Sequence, residues 1–221
     1  MAAPLRIALV SPRGPLYRHR GGAWRRQMRY APLTLTTLAA LIPERYGGAG
    51  LTAVEYCICI EELARVDPTI ALTVAAHNGL CAAHVHMFGS EDQRQRVLSR
   101  LARGETLGVW ALTEPTSGSD AGGMRTRARR DGDHWVLNGT KTFTTHASLA
   151  GVTVVMAVTN PDKNQRGISA FVIERGTQGM TAGRKENKLG MRASDTADVR
   201  FEDQIDAVVK EAASFFGSLD A

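Results

Sequence analysis

The chain has 221 residues, 43% hydrophobic and 22% charged, an ordinary globular composition that suits one large or two small domains with a real core. No apolar run approaches the roughly 18 residues that would suggest a membrane-spanning helix. The formal net charge of +5 belongs to one end: Arg6, Arg13, Arg18, Arg20, Arg25, Arg26 and Arg29 stand in a stretch without acids, leaving 20 basic against 22 acidic side chains in the rest, so the body is not a nucleic-acid binder by charge.

That Arg-rich, acid-poor start has two functional readings, an arm for nucleic acid or a membrane surface, or a transit peptide. Pro4, Pro12 and Pro15 interrupt any amphipathic helix, and no Lys/aromatic pattern accompanies the arginines, which argues against both. Residues 1–30 are expected to be a disordered basic tail. Leu33 to Ile42 then predicts one short helix, and PERYGGAG at 43–50 a Gly-rich structural turn, lacking the strand and Gly spacing of a phosphate cradle.

Three helix starts follow. Thr52 with Glu55 forms a capping box before Ala53, Cys57, Ile60 and Ala64 at helical spacing; Asp67-Pro68 is an N-cap with Pro at the first position, opening an apolar helix toward Phe88; Ser90 with Gln93 is a second capping box, leading to Val97 and Leu101 and ending at Gly104. The middle helix is apolar nearly all round, as for a helix packed between others. His77, His84 and His86 on it do not converge, and no carboxylate or thiol completes a metal set. Cys57, Cys59 and Cys81 form neither a CxxC pair nor a disulfide framework; Cys57 and Cys59 read as buried thiols in a reducing compartment.

From Gly108 the period changes. Val109 to Leu112, Gly123 to Arg130, His134 to Leu137, Thr140 to Thr145, Val152 to Thr159, Ile168 to Ile173 and Ala197 to Phe201 are short runs rich in β-branched or aromatic residues. Asp131-Gly132, Asn138-Gly139 and Arg166-Gly167 stand between them, and Asn-Gly is the strongest short hairpin signal. An antiparallel β domain is predicted. Within it, LTEPTSGSD at 112–120 gathers hydroxyls, a Pro, a Gly and two carboxylates after an apolar strand. Such a loop can hold a phosphate-bearing ligand through backbone N–H groups and hydroxyls; taken alone, it reads more simply as a hairpin loop with local Ser/Thr/Asp bonding.

LTEPTSGSD, DGDHWVLNGTKTFTT from Asp131 and KLGMRASDT from Lys188, three ordered blocks at matching spacing, resemble the acyl-CoA dehydrogenase family of flavoproteins. The resemblance runs from about Pro43 to Asp203. It implies an α+β multidomain fold: part of an N-terminal helical domain over 31–106, then an antiparallel β-barrel domain over 107–204. The family's C-terminal helical domain is expected to be absent, with 205–221 a short helix of its own, because Ile205, Val208, Val209, Ala212, Phe215 and Phe216 recur at roughly helical spacing without resembling the expected continuation. At the other end the two amphipathic helices of the family find no match in the basic tail.

What the resemblance implies for chemistry is FAD-dependent α,β-dehydrogenation of an acyl-CoA thioester to a 2-enoyl-CoA. A base removes the α-proton and the flavin takes the β-hydride, while the protein orients and polarises. Trp110, Thr113, Gly118 and Ser119 match the family's first flavin-binding block, with Ser119 also touching the substrate's CoA portion; Phe143, Thr144 and Thr145 match the second, where Trp-Ile-Thr is common. Read without the first block, Phe143 and Thr145 are plain strand alternation. Neither Glu114 nor Asp120 matches the family's catalytic Glu, which comes from the C-terminal domain, so no base is assigned. Implied partners are an acyl-CoA substrate, an electron-transfer flavoprotein as acceptor and further copies of the full-length protein, in the cytoplasm, or in the mitochondrial matrix should the tail be a transit peptide. Two other readings stay open: a catalytically inactive FAD- or acyl-CoA-binding interaction fragment, and a relative such as an acyl-CoA oxidase or flavin monooxygenase.

Overall fold

In the computed structural model, residues 41–149, 151–202 and 212–214 are described. The expected helix at 33–42 falls almost wholly outside them. The turn at 43–50 forms as a single helical turn, Glu44–Tyr46, closed by Gly47 at φ 83°. Each of the three helix starts is present with its cap. Helix α1, Ala53–Val66, opens on the reciprocal Thr52–Glu55 box. Helix α2 runs continuously over 68–88, with Asp67 accepting from the Thr69 and Ile70 amides and Pro68 at its first position; its middle turn, Ala76–Ala82, widens to i→i+5 hydrogen bonding. Helix α3, 91–102, opens on the Ser90–Gln93 box, and Gly104 follows its end at φ 65°. Cys81 is buried, whereas Cys57, expected to be buried, is exposed on α1.

The β part comprises β1 (Gly108–Ala111), β2 (Arg127–Asp131), β3 (His134–Thr145), β4 (Val152–Val158), β5 (Ile168–Glu174), β6 (Met180–Lys185), β7 (Thr196–Phe201) and β8 (Ala212–Ser214). They form one curled sheet in the order β6-β7-β3-β2-β4-β5-β8, with β1 on β4. This corrects the antiparallel expectation: β1 pairs with β4 in parallel, and β2 meets β4 in parallel at Arg127 and Val158. The hairpin β2–β3 lies between β1 and β4 in sequence, and a chain returning after such an excursion can run parallel. Among the described residues the strand path does not close on itself, since β6 and β8 sit at opposite ends.

Asn138-Gly139 is no hairpin either. It lies inside β3, where one long strand pairs with β2 through its first half and with β7 through its second. Gly139 stands at the bend with φ 147°, and a Cβ there would meet Thr126 Oγ1 at 2.5 Å and Thr126 Cα at 2.8 Å. The Gly is needed for close backbone approach, the other reason a strand carries one. The predicted turn at Asp131-Gly132 does form, with Gly132 at φ 61°. Within the stretch read as a C-terminal helix, Ala212–Ser214 is instead a strand on β5; satisfying the open edge of β5 outweighs a helical spacing. Strand β6, exposed and poor in β-branched residues, gave no signal in sequence.

Two apolar cores share β4. Val152, Val154 and Met156 pack with Cys81, Val85, Leu98 and Leu101 of the helices. Val155 and Ala157, on the opposite face, pack with Leu137, Phe171, Val199 and Phe201 inside the curl of the sheet. Coverage on both faces explains why β4 is an unbroken apolar run instead of an alternating one.

Candidate functional site

The loop after β1 and the second half of β3 lie side by side. The Thr142 amide donates to Thr113 O at 2.7 Å, and the buried Lys141 ammonium donates to Leu112 O at 3.0 Å and to Glu114 Oε1 at 2.7 Å. Glu114 also accepts from the Arg125 amide at 2.6 Å and the Thr126 amide at 2.9 Å. Burial alone would push the Glu114 carboxyl up, but Lys141 and the two amides more than offset it and hold the carboxyl below its ordinary value. For Lys141 burial wins, pulling the ammonium down against the upward pull of Glu114.

Inside the loop, Glu114 and Ser117 exchange backbone hydrogen bonds around Pro115-Thr116, and Ser117 Oγ donates to Asp120 O at 2.6 Å. Ser117 is thereby turned inward, leaving Gly118 and Ser119 exposed at the rim. Gly118 has open space where a Cβ would stand, so a ligand can approach its backbone directly.

On β3 the strand is not plain. Register against β7 slips between Lys141 and Thr144, and Phe143 sits at φ 53° with 67% of its surface exposed. A bulge with a bulky residue in the left-handed region is a costly local conformation, of a kind that clusters at ligand sites. Thr144 is buried and Thr145 half-buried. Trp110 Nε1, Thr142 Oγ1 and Thr144 Oγ1 are buried polar atoms without a partner among the described residues. Unmet buried donors and acceptors cost free energy unless a bound group satisfies them.

Exposed Gly118 and Ser119, an apolar ring on a bulge and three orphaned polar atoms from two adjoining blocks fit a flat, polar-edged ring system carrying phosphate. All seven residues singled out from the sequence, Trp110, Thr113, Gly118, Ser119, Phe143, Thr144 and Thr145, fall in these two adjoining blocks. The sequence reading missed the Lys141–Glu114 pair beneath them and the hydroxyl of Thr142; a Lys between β-branched residues in an otherwise half-buried strand was the available signal.

Comparison with known proteins gives the family. The family models for the acyl-CoA dehydrogenase N-terminal domain and middle domain match residues 25–105 and 110–204. The chain belongs to the acyl-CoA dehydrogenase family. It is 44% identical over 162 residues to the short-chain specific acyl-CoA dehydrogenase of Clostridium acetobutylicum, a match covering 73% of this chain and 43% of that protein. Butyryl-CoA dehydrogenase from Megasphaera elsdenii superposes with a TM-score of 0.77 at 36% identity, covering 82% of this chain and 48% of that one. Glutaryl-CoA dehydrogenase from Mycobacterium smegmatis in complex with FADH2 gives 0.75 at 36%, covering 83% and 45%. The chain thus spans less than half the length of these relatives.

Among the described residues no helix is long and apolar enough to cross a membrane, and no group of three or more His, Cys, Asp or Glu is placed to hold a metal ion. Among the described residues of the β part, the two buried carboxylates, Glu114 and Asp195, are both engaged within the fold. Glu114 is occupied as above, and Asp195 accepts from the Ser148 amide at 2.8 Å, from Ser148 Oγ at 2.7 Å and from Lys185 at 3.2 Å.

Proposed function

We propose that this chain forms the flavin- and thioester-binding part of an FAD-dependent acyl-CoA dehydrogenase that converts an acyl-CoA to a 2-enoyl-CoA. The observation that carries the reading is the direct hydrogen-bonded apposition of the 113–119 loop and the 142–145 bulge, with orphaned polar atoms in the bulge at Thr142 and Thr144 and, in the strand leading into the loop, at Trp110. FAD, when bound, supplies hydride acceptance. Thr113, Thr144 and Thr145 present hydroxyls to its polar edge, Trp110 and Phe143 flank its ring, and Gly118 and Ser119 reach its phosphates, Ser119 also meeting the CoA portion of the substrate. No proton-abstracting residue is assigned within 41–202.

The domain organisation proposed is a helical domain over 31–106 and a β domain over 107–204. The partners proposed are an acyl-CoA, an electron-transfer flavoprotein as electron acceptor, and further copies of the protein in a homo-oligomer. The compartment is the cytoplasm, or the mitochondrial matrix for a chain whose tail serves as a transit peptide.

The test is reconstitution. Purified chain incubated with FAD and desalted is expected to retain a flavin absorbance band with altered fine structure, and butyryl-CoA is expected to perturb that band. Colourless protein after desalting, with no quenching of FAD fluorescence during titration, would overturn the flavin assignment. Rapid reoxidation of the bound, reduced flavin by oxygen would place the chain with the oxidases instead.

A further inference from the structure

We propose that Lys141 and Glu114 are positioning residues of the flavin site, an ion pair that sets the register of the 112–119 loop against the β3 bulge; the inference rests on the flavin reading above. The pair is buried, with Lys141 0% and Glu114 5% exposed, and the Lys141 nitrogen lies 2.7 Å from Glu114 Oε1. Holding the fold together does not by itself account for it. Two charges taken out of water regain little net stability, and a well-packed apolar pair of similar volume serves as well or better.

Direction is what an apolar pair lacks. The Glu114 oxygens engage the Arg125 and Thr126 amides, and the Lys141 nitrogen engages Leu112 O as well as the carboxylate. Three chain segments, 112–114, 125–126 and 141, are therefore fixed to one another by directional bonds. Lys141 is also the last residue of β3 in register with β7 before the slip, paired to Val199. The residues that leave the ladder, Thr142 and Phe143, follow directly after the anchored position, and Thr113 directly precedes Glu114. The pair fixes both blocks that carry the flavin-facing residues, with Thr113 one residue from Glu114 and Phe143 two residues from Lys141.

Three variants of the full chain, Lys141→Met, Glu114→Gln and the two combined, test this, with three readouts on each. Thermal unfolding reports the fold, amide hydrogen exchange of the FAD-free chain reports loop register over 112–119 and 139–146, and fluorescence titration reports FAD affinity. Each single variant is expected to speed exchange of the 112–119 amides and weaken FAD binding by about tenfold or more. In the combined variant the thermal midpoint recovers toward that of the unsubstituted chain, since no unpaired buried charge remains, while loop exchange stays fast and FAD binding stays weak. Recovery of all three together in the combined variant would mean the pair is ordinary packing and would overturn the proposal, as would unchanged loop exchange in any folded variant. Should the unsubstituted chain fail to bind FAD while loop exchange responds as stated, the positioning role stands and the flavin reading falls.

Discussion

Thr144 carries a hydroxyl that is buried and has no partner among the described residues. Replacing it by Val removes the unmet group while keeping the shape, so Thr144→Val should leave the thermal midpoint of the FAD-free chain unchanged or slightly raised. FAD affinity should fall by roughly five- to twentyfold, the worth of one hydrogen bond. A midpoint that drops by several degrees would show that the hydroxyl already serves the fold. Gly139 makes the opposite case, a residue whose importance is wholly steric. Gly139→Ala drives a Cβ into Thr126, whose amide Glu114 holds, and should cost about 3 kcal/mol of stability in chemical denaturation; an effect below about 1 kcal/mol would mean the neighbouring backbone yields. Sequence reasoning saw Gly139 but gave it the wrong task, since Asn-Gly marks a turn by local preference and a close approach depends on Thr126, thirteen positions away.

The helices and the sheet meet at Gly108, the first residue of β1. His77, in the widened turn of α2, accepts from the Gly108 amide at 2.9 Å, and His146 Nδ1 lies 3.3 Å from Gly108 O. Burial, then the proximity of His146, lowers the His77 pKa from 6.5 to about 4; burial lowers His84 to about 4 as well. Both rings stay neutral in the folded chain where the unfolded chain binds protons. The stability they contribute is therefore complete above 6.5 and is lost as pH falls through about 4. The thermal midpoint should drop between pH 7.5 and pH 4.5, with a limit on the order of 3 kcal/mol for a fully buried histidine, and His77→Gln should flatten that slope. A slope unaltered by the substitution would assign the acid lability elsewhere. Helix starts were legible in the sequence because Thr52–Glu55, Asp67-Pro68 and Ser90–Gln93 are complete within four residues. The parallel seating of β1 on β4 was not, because strand direction is decided by how the chain returns from the intervening hairpin.

Across the whole molecule, β4 partitions two cores; α2 and α3 pack on the first of them, and α1 packs on α2 in a third cluster around Leu63, Ala71 and Val74. Part of the helices' apolar surface is still in view. Val54 and Ile58 lie one turn apart on α1, and Leu80 and Met87 are exposed on α2. Exposed apolar side chains so placed promote association, and the chain is expected to self-associate in light scattering, with Val54→Glu combined with Ile58→Lys reducing the apparent mass without lowering the thermal midpoint. A monodisperse monomer from the unsubstituted chain contradicts this. At this scale the order of helical part and β part followed from the change of period at Gly108 and from the resemblance. The open course of the sheet could not be read, because β6 and the 212–214 strand carry almost none of the residue types by which strands announce themselves. That same course leaves β6 with one side of its backbone unpaired among the described residues, yet it ends in Arg184 and Lys185 and slips register against β7 between Ala182 and Lys185. Positive charge and an irregular rim discourage a stray chain from docking there and seeding fibrils, so the least strand-like stretch of the sheet is also the one that keeps copies of the protein from stacking edge to edge.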